Sequence, residues 1–275
     1  MRRNLARVST ATDPLAALAA LPGVPEAVED TRKAVDRLLG HRTMRRRSMD
    51  ISAESALRGA RASAALEGVD WSLEEIRRRT DFSSSLDDGG AVIAGALRLS
   101  AEIGSLLGTW GHSPLQVLAR LHVVAAADAV PAEALGRPRR DGELPGPLPS
   151  AEEVAARLDG LSRLLLAPSS APAVVVAAVT HAEILTLAPF TWGNGLVARA
   201  AQRIVLVTRG LDPKGAAVPE VGHLELGVDA YAAALRAYES GTAEGVSIWI
   251  RHCAEAMTLG ARESVAVCEA VMRGI

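Results

Sequence analysis

Apolar residues recur along this chain at three- and four-residue intervals, and the period-two alternation of a half-buried strand is nearly absent. The pattern predicts helices at roughly 25–40, 51–67, 72–80, 90–108, 113–127, 150–166, 171–187, 194–209, 228–239 and 243–272. Pro114, Ser150 and Pro172 stand where helix starts are expected. Two stretches interrupt the pattern. "TDFSSSLDDGG" (80–90) reads as a polar, glycine-terminated linker, and "GRPRRDGELPGPLPS" (136–150) as an exposed flap or loop. No repeat is visible. The predicted fold class is all-α with one short β-hairpin at the flap. It divides into a flexible arm at 1–24, an N-terminal helical region at 25–80 and a larger helical domain at 90–275.

Composition narrows the function classes. The 275 residues are 49% hydrophobic, enough for a substantial core, and the net charge of −2 supplies no global field toward nucleic acid or membrane. The longest apolar run, Ala171 to Val179, falls short of the ~20 residues that cross a bilayer. The opening "MRRNLARVSTATDPLAALAALPG" is broken as a signal-like segment by Asp13 and Pro14, and is read as a loose arm. Cys253 and Cys268 share one predicted helix too far apart to bridge, with no zinc-type spacing, which suggests a reducing cytoplasm.

The stretch "LAPFTWGNGLVAR" (187–199) carries the chemistry. Gly193 and Gly195 reach left-handed backbone angles at little cost, and Asn194 is the next most tolerant residue. A turn of this kind opening a helix aims N–H groups outward at the positive end of the helix dipole, which makes an anion site. A plain helix-to-helix turn has the same residues, so the turn alone leaves both readings open.

The longer string "HAEILTLAPFTWGNGLVAR" resembles the core signature of the Fic (Fido-fold) family, H-x-F-x-D/E-G-N-G-R-x-x-R. Pro189, Phe190, Gly193, Asn194, Gly195 and Arg199 match in place, and His181 matches a histidine of the preceding family helix. "DAYAAALRAYESGTAEGVSIWI" resembles the closing family helices, with Tyr231, Leu235 and Trp249 at familiar offsets. Upstream, "SAALEG" (Ser63, Glu67, Gly68) resembles the S/T-x-x-x-E-G/N inhibitory motif of Fic proteins that carry their own regulatory helix. The resemblance spans roughly residues 50–255 and implies a helical Fic fold. It further implies that Glu67 reaches the nucleotide site and pairs with Arg199.

Typical members of the family transfer AMP from ATP to a protein hydroxyl. A motif histidine accepts the hydroxyl proton, an acid holds Mg²⁺, the Gly-Asn-Gly turn cradles phosphates, and two arginines bind the phosphate chain. Here the histidine position is Ala188, the acid is Trp192 and the first arginine is Leu196. Loss of a general base alone costs ~10²–10⁴ in rate. His181 lies two helical turns from the motif, ~10 Å along the axis, and reads as a packing histidine. Trp192 reads as filler of the lost polar volume or as a surface for a nucleobase.

The expectation is therefore a pseudoenzyme with a regulatory role, no catalytic residue and no metal ligand. Gly193, Asn194, Gly195 and Arg199 would hold ATP, ADP or AMP without tightly bound Mg²⁺. Ser63, Glu67 and Gly68 would regulate them, and a protein partner, still unidentified, would receive the signal. An alternative from the enzyme class is a divergent Fic transferase, or a de-AMPylating hydrolase in which Glu67 orients water. A weaker alternative is nucleic-acid association through Arg42, Arg45, Arg46 and Arg47, which lack aromatic interleaving and suit a solvated helix face. Arg137, Arg139 and Arg140 fall where family members carry a target-docking flap, but Pro138, Pro145, Pro147 and Pro149 work against strand addition. No membrane role is expected, and homo-oligomer formation is left open.

Overall fold

A computed structural model describes residues 13–79, 82 and 89–274. Twelve α-helices occupy most of the described residues, and no strand is present among them. In chain order they are α1 (Pro14–Leu18), α2 (Val24–Leu39), α3 (Arg42–Leu66), α4 (Leu73–Arg78), α5 (Gly90–Trp110) and α6 (Pro114–Ala125). Then follow α7 (Ala151–Leu166), α8 (Ala173–Leu187), α9 (Asn194–Thr208), α10 (Pro219–Leu226), α11 (Val228–Glu239) and α12 (Ala243–Arg273).

Helix α12 is the spine. Its 31 residues pack against α2, α3, α8, α10 and α11, and Trp249, Ile250, Cys253, Ala254, Met257 and Cys268 on it are fully buried. The α8–α9 hairpin forms the centre of the core. Helix α8 is apolar on every side, with eleven of its fifteen residues buried, so other helices must surround it. The Trp249 indole N–H donates to the Ala178 carbonyl at 2.8 Å and ties α12 to α8. Helix α5 is long and apolar enough to cross a membrane by composition, but its Ile93, Ala96, Leu99, Ile103 and Leu106 are buried in this core, against α3, α6 and α9.

Three sequence expectations are corrected. Residues 136–150 contain no hairpin: Pro138, Pro145, Pro147 and Pro149 cannot donate to a ladder, and the segment is an irregular loop. Within the expected arm, residues 1–12 lie outside the described residues. Asp13 to Gly23, however, is anchored: Leu15 is buried, Asp13 caps α1, and its carboxylate accepts from the Ser170 N–H at 2.8 Å. Helix α3 also begins well before residue 51, at Arg42, with a break in helical angles at Arg47. Its first turns expose Arg42, Arg45, Arg46 and Arg47 around a buried Thr43 and Met44, and Arg47 pairs with Asp50 at 2.7 Å. Of the expected linker, only part falls among the described residues.

Candidate anion-binding site

Local backbone chemistry builds the site from two ends. Helix α8 stops at Ala188, which adopts a left-handed conformation (φ 41°, ψ 62°) unusual for a residue with a Cβ. The chain turns and α9 starts behind Gly193, also left-handed (φ 69°). Asn194 does not point outward. Its Oδ1 accepts from the Phe190 N–H at 2.9 Å and its Nδ2 donates to the Phe190 carbonyl at 2.8 Å, so the asparagine clasps the turn shut. Phe190 lies in the core against His122, the rings parallel with centroids 4.1 Å apart.

The other end is α3. It terminates in a Schellman motif: the Val69 N–H bonds the Ala64 carbonyl, the Gly68 N–H bonds the Ala65 carbonyl, and Gly68 supplies the left-handed residue (φ 88°). Glu67 is thereby held as the C-cap of α3, next to the start of α9.

The two ends meet at Arg199, which is 1% exposed. Its Nε donates to Ser63 Oγ at 2.7 Å, and its Nη2 donates to the Ser63 carbonyl at 2.9 Å and to Glu67 Oε1 at 2.6 Å. Burial alone would depress the guanidinium pKa, but the Glu67 carboxylate and Tyr231 more than offset it, so Arg199 stays charged. The same Glu67 oxygen lies over Gly195, where an added Cβ would run into it. A carboxylate therefore sits in the cradle at the N-terminal end of α9, where the helix dipole favours an anion. Gly193, by contrast, faces open space.

The remaining motif positions are apolar and partly or fully packed. Leu196 is 1% exposed and belongs to the core. Trp192 is half-buried and packs on the core's edge. Behind Leu196, Ser63 and Glu220 is a cavity of about 10 Å³, room for about one water. These residues do not fit a divalent cation: where the resemblance puts the acid there is Trp192, and Glu67 is engaged by Arg199. A groove of about 890 Å³ lies elsewhere, between α2 and α12, lined by charges of both signs such as Lys33, Arg262 and Glu269.

Sequence reading placed Arg139 in a surface flap. Instead it is 4% exposed and clamps the turn from below. Its Nε donates to the Ala188 carbonyl at 2.8 Å, its Nη2 to the Pro149 carbonyl at 2.7 Å, and its backbone N–H to the Pro189 carbonyl at 2.7 Å. No spacing signal distinguishes it from its neighbours Arg137 and Arg140. His122 was likewise missed as a support of the turn. Its Nδ1 accepts from the Gly136 N–H at 2.9 Å, and burial lowers its pKa to about 4. His181 is fully buried.

This arrangement of helices is found in solved Fic structures. A Fic family protein from Desulfovibrio desulfuricans G20 superposes with a TM-score of 0.67 at 19% identity, over 88% of this chain and 74% of that one. Fic-1 from C. elegans gives 0.69 at 17% identity, over 90% and 73%. A Fic domain containing signaling protein from Bacteroides thetaiotaomicron VPI-5482 gives 0.61 at 14% identity, over 89% and 98%. No family model matches the sequence, and no curated protein matches it. The chain has the all-α Fic (Fido) fold.

Proposed function

We propose that this chain is a Fic-fold pseudoenzyme. It binds a nucleotide or related phosphate compound at Gly193, Asn194, Gly195 and Arg199, under the control of Glu67, and reports occupancy to a protein partner. The observation that carries this reading is the Glu67 carboxylate lying over Gly195 while paired to Arg199. A negatively charged group already occupies the cradle, so a phosphate that displaces it finds the same donors. Asn194 keeps the turn's shape without ligand, since its side chain bonds only the Phe190 backbone.

Chemistry is a different matter. Proton abstraction needs a base within hydrogen-bond reach of the target hydroxyl, and the motif position offers the methyl of Ala188. Charge neutralisation of a transferred phosphoryl group needs cations, and the first-arginine position offers the buried Leu196. No catalytic step is assigned to Trp192.

Incubation of wild type and Glu67→Gly with ATP and Mg²⁺, followed by intact-mass measurement, tests the loss of transfer. The proposal expects unchanged masses in both. An AMP-sized gain, larger in Glu67→Gly, would contradict it and favour a divergent transferase. The hydrolase reading rests on Glu67, whose side chain is 30% exposed and so reachable by water. It requires release of AMP from an adenylylated peptide by wild type and loss of that release in Glu67→Gln.

A further inference from the structure

Beneath the anion-binding turn, three helices bring together side chains that the reading above does not use. His181 on α8, His223 on α10 and Cys253 on α12 each place one ligating atom within 4.8 Å of the others, and all three are 0% exposed. The sequence gives no hint of it, because the residues are spread over more than seventy positions with no ligand spacing. Tertiary packing alone assembles them.

A second observation points to a ligand. The His181 Nε2 is engaged by the Tyr231 hydroxyl at 2.7 Å, whereas its Nδ1 is buried without a hydrogen-bond partner. The Gln202 amide nitrogen nearby is also buried and unpartnered. Buried polar atoms of this kind are costly, and in native proteins they are rare. Metal-ligating histidines usually pass their second ring N–H to an outer partner. Tyr231 occupies that place for His181, and His252 for His223, with its Nε2 3.1 Å from His223 Nδ1. His223 Nε2 lies 3.4 Å from Gln202 Oε1 and gives up that contact on ligating, its ring proton moving to Nδ1.

We propose that His181, His223 and Cys253 form a closed, structural site for one soft monovalent d¹⁰ cation, Cu(I). The choice of ion follows from charge. Two neutral imidazoles, one thiolate and Cu(I) sum to zero, which a dry core tolerates. Zn(II) would leave a net positive charge close to the Arg199 guanidinium, whose field already acts on both histidines. Zinc also prefers four ligands, whereas thiolate and imidazole both suit Cu(I). A thiol with no cation bound carries its proton at neutral pH. Loading therefore exchanges the thiol proton for the cation: the S–H bond breaks, a Cu–S bond forms, and the proton leaves to solvent with no change of oxidation state. Bond lengths of ~2.0–2.3 Å place donors ~3.5–4 Å apart, so side-chain rotations on the order of 1 Å suffice to close the site.

The test is refolding of the full chain in the presence of Cu(I) without oxygen, with a bathocuproine dye as competitor and metal content read by mass spectrometry. Wild type and Cys268→Ser are expected to retain about one equivalent, and Cys253→Ser at least about tenfold less. X-ray absorption of loaded wild type is expected to show one sulfur and two nitrogen neighbours, which keeps the test decisive if Cys253→Ser fails to fold. A metal-free wild type, retention of Zn(II) in place of Cu(I), or a copper shell without sulfur would overturn the proposal. None of these outcomes bears on nucleotide binding at the turn.

Discussion

Glu67 Oε1 lies 2.6 Å from Arg199 Nη2, across 132 positions of sequence, and the pair joins the end of α3 to the first turns of α9. Arg199 is almost wholly buried, so without a partner its charge would be strongly destabilising. Ser63 contributes two further acceptors from the same helix, which makes the contact a three-point clamp. On the proposed reading the clamp and the phosphate site share these atoms, so a phosphate ligand would compete with Glu67 for one guanidinium.

Gly195 reports this competition through stability. Gly195→Ala would drive a methyl group into Glu67 Oε1, and overpacking of that kind costs ~1–3 kcal/mol. In a Glu67→Gly background the obstructing atom is gone, so the alanine is expected to cost less by on the order of 1 kcal/mol. Urea unfolding of the four proteins of that cycle measures the coupling. Equal costs in both backgrounds would show that Glu67 does not occupy the cradle.

Ala188 carries a different cost. It sits where the resemblance puts the motif histidine, in left-handed geometry, φ 41°, which costs a residue with a Cβ roughly 1–2 kcal/mol. Ala188→Gly relieves this strain and loses part of the gain to chain entropy, so a net stabilisation of about 0.5–1 kcal/mol is expected. Its measure is the unfolding midpoint. A destabilisation would mean that the Arg139 clamp, and not the backbone angle, dominates at this position.

Helix patterning and the motif were legible for separate reasons. The apolar stripes of α2, α5, α9, α11 and α12 announce themselves by period and α8 by its long apolar run, and the observed bounds fall within about two residues of expectation. Helix α10 was not anticipated. It is eight residues long and buries polar Glu220 and His223, so its pattern carries no apolar stripe. The first turns of α3 were missed because an arginine run masks the buried Thr43 and Met44. Of the site, the family-like strings pointed to Gly193–Gly195, Arg199 and Glu67 as partners. Arg139 and His122 were invisible, since their roles arise only when the 136–150 loop folds under the turn.

Acid sensitivity follows from the buried histidines. Burial lowers the pKa of His122 and His252 to about 4, and drives those of His181 and His223 well below the usual 6.5. Each is neutral in the folded chain and takes up a proton on unfolding once pH drops below about 6.5. Their contribution to stability is thus intact above that pH and is lost as pH falls toward 4, by at most about 1.4 kcal/mol per pH unit for each group. The urea midpoint is expected to fall between about pH 7 and about pH 5, and less steeply in His122→Gln, which keeps an acceptor for Gly136. A flat profile over that window would contradict the burial of these rings.

Calorimetric titration of ATP, ADP and AMP, with and without Mg²⁺, into wild type and Glu67→Gly tests the central claim most directly. A live cradle gated by Glu67 predicts magnesium-independent binding that tightens at least about tenfold, ~1.4 kcal/mol, when the carboxylate is removed. No binding to either protein, or equal affinity for both, would contradict it and leave the Glu67–Arg199 pair as a purely structural tie between α3 and α9.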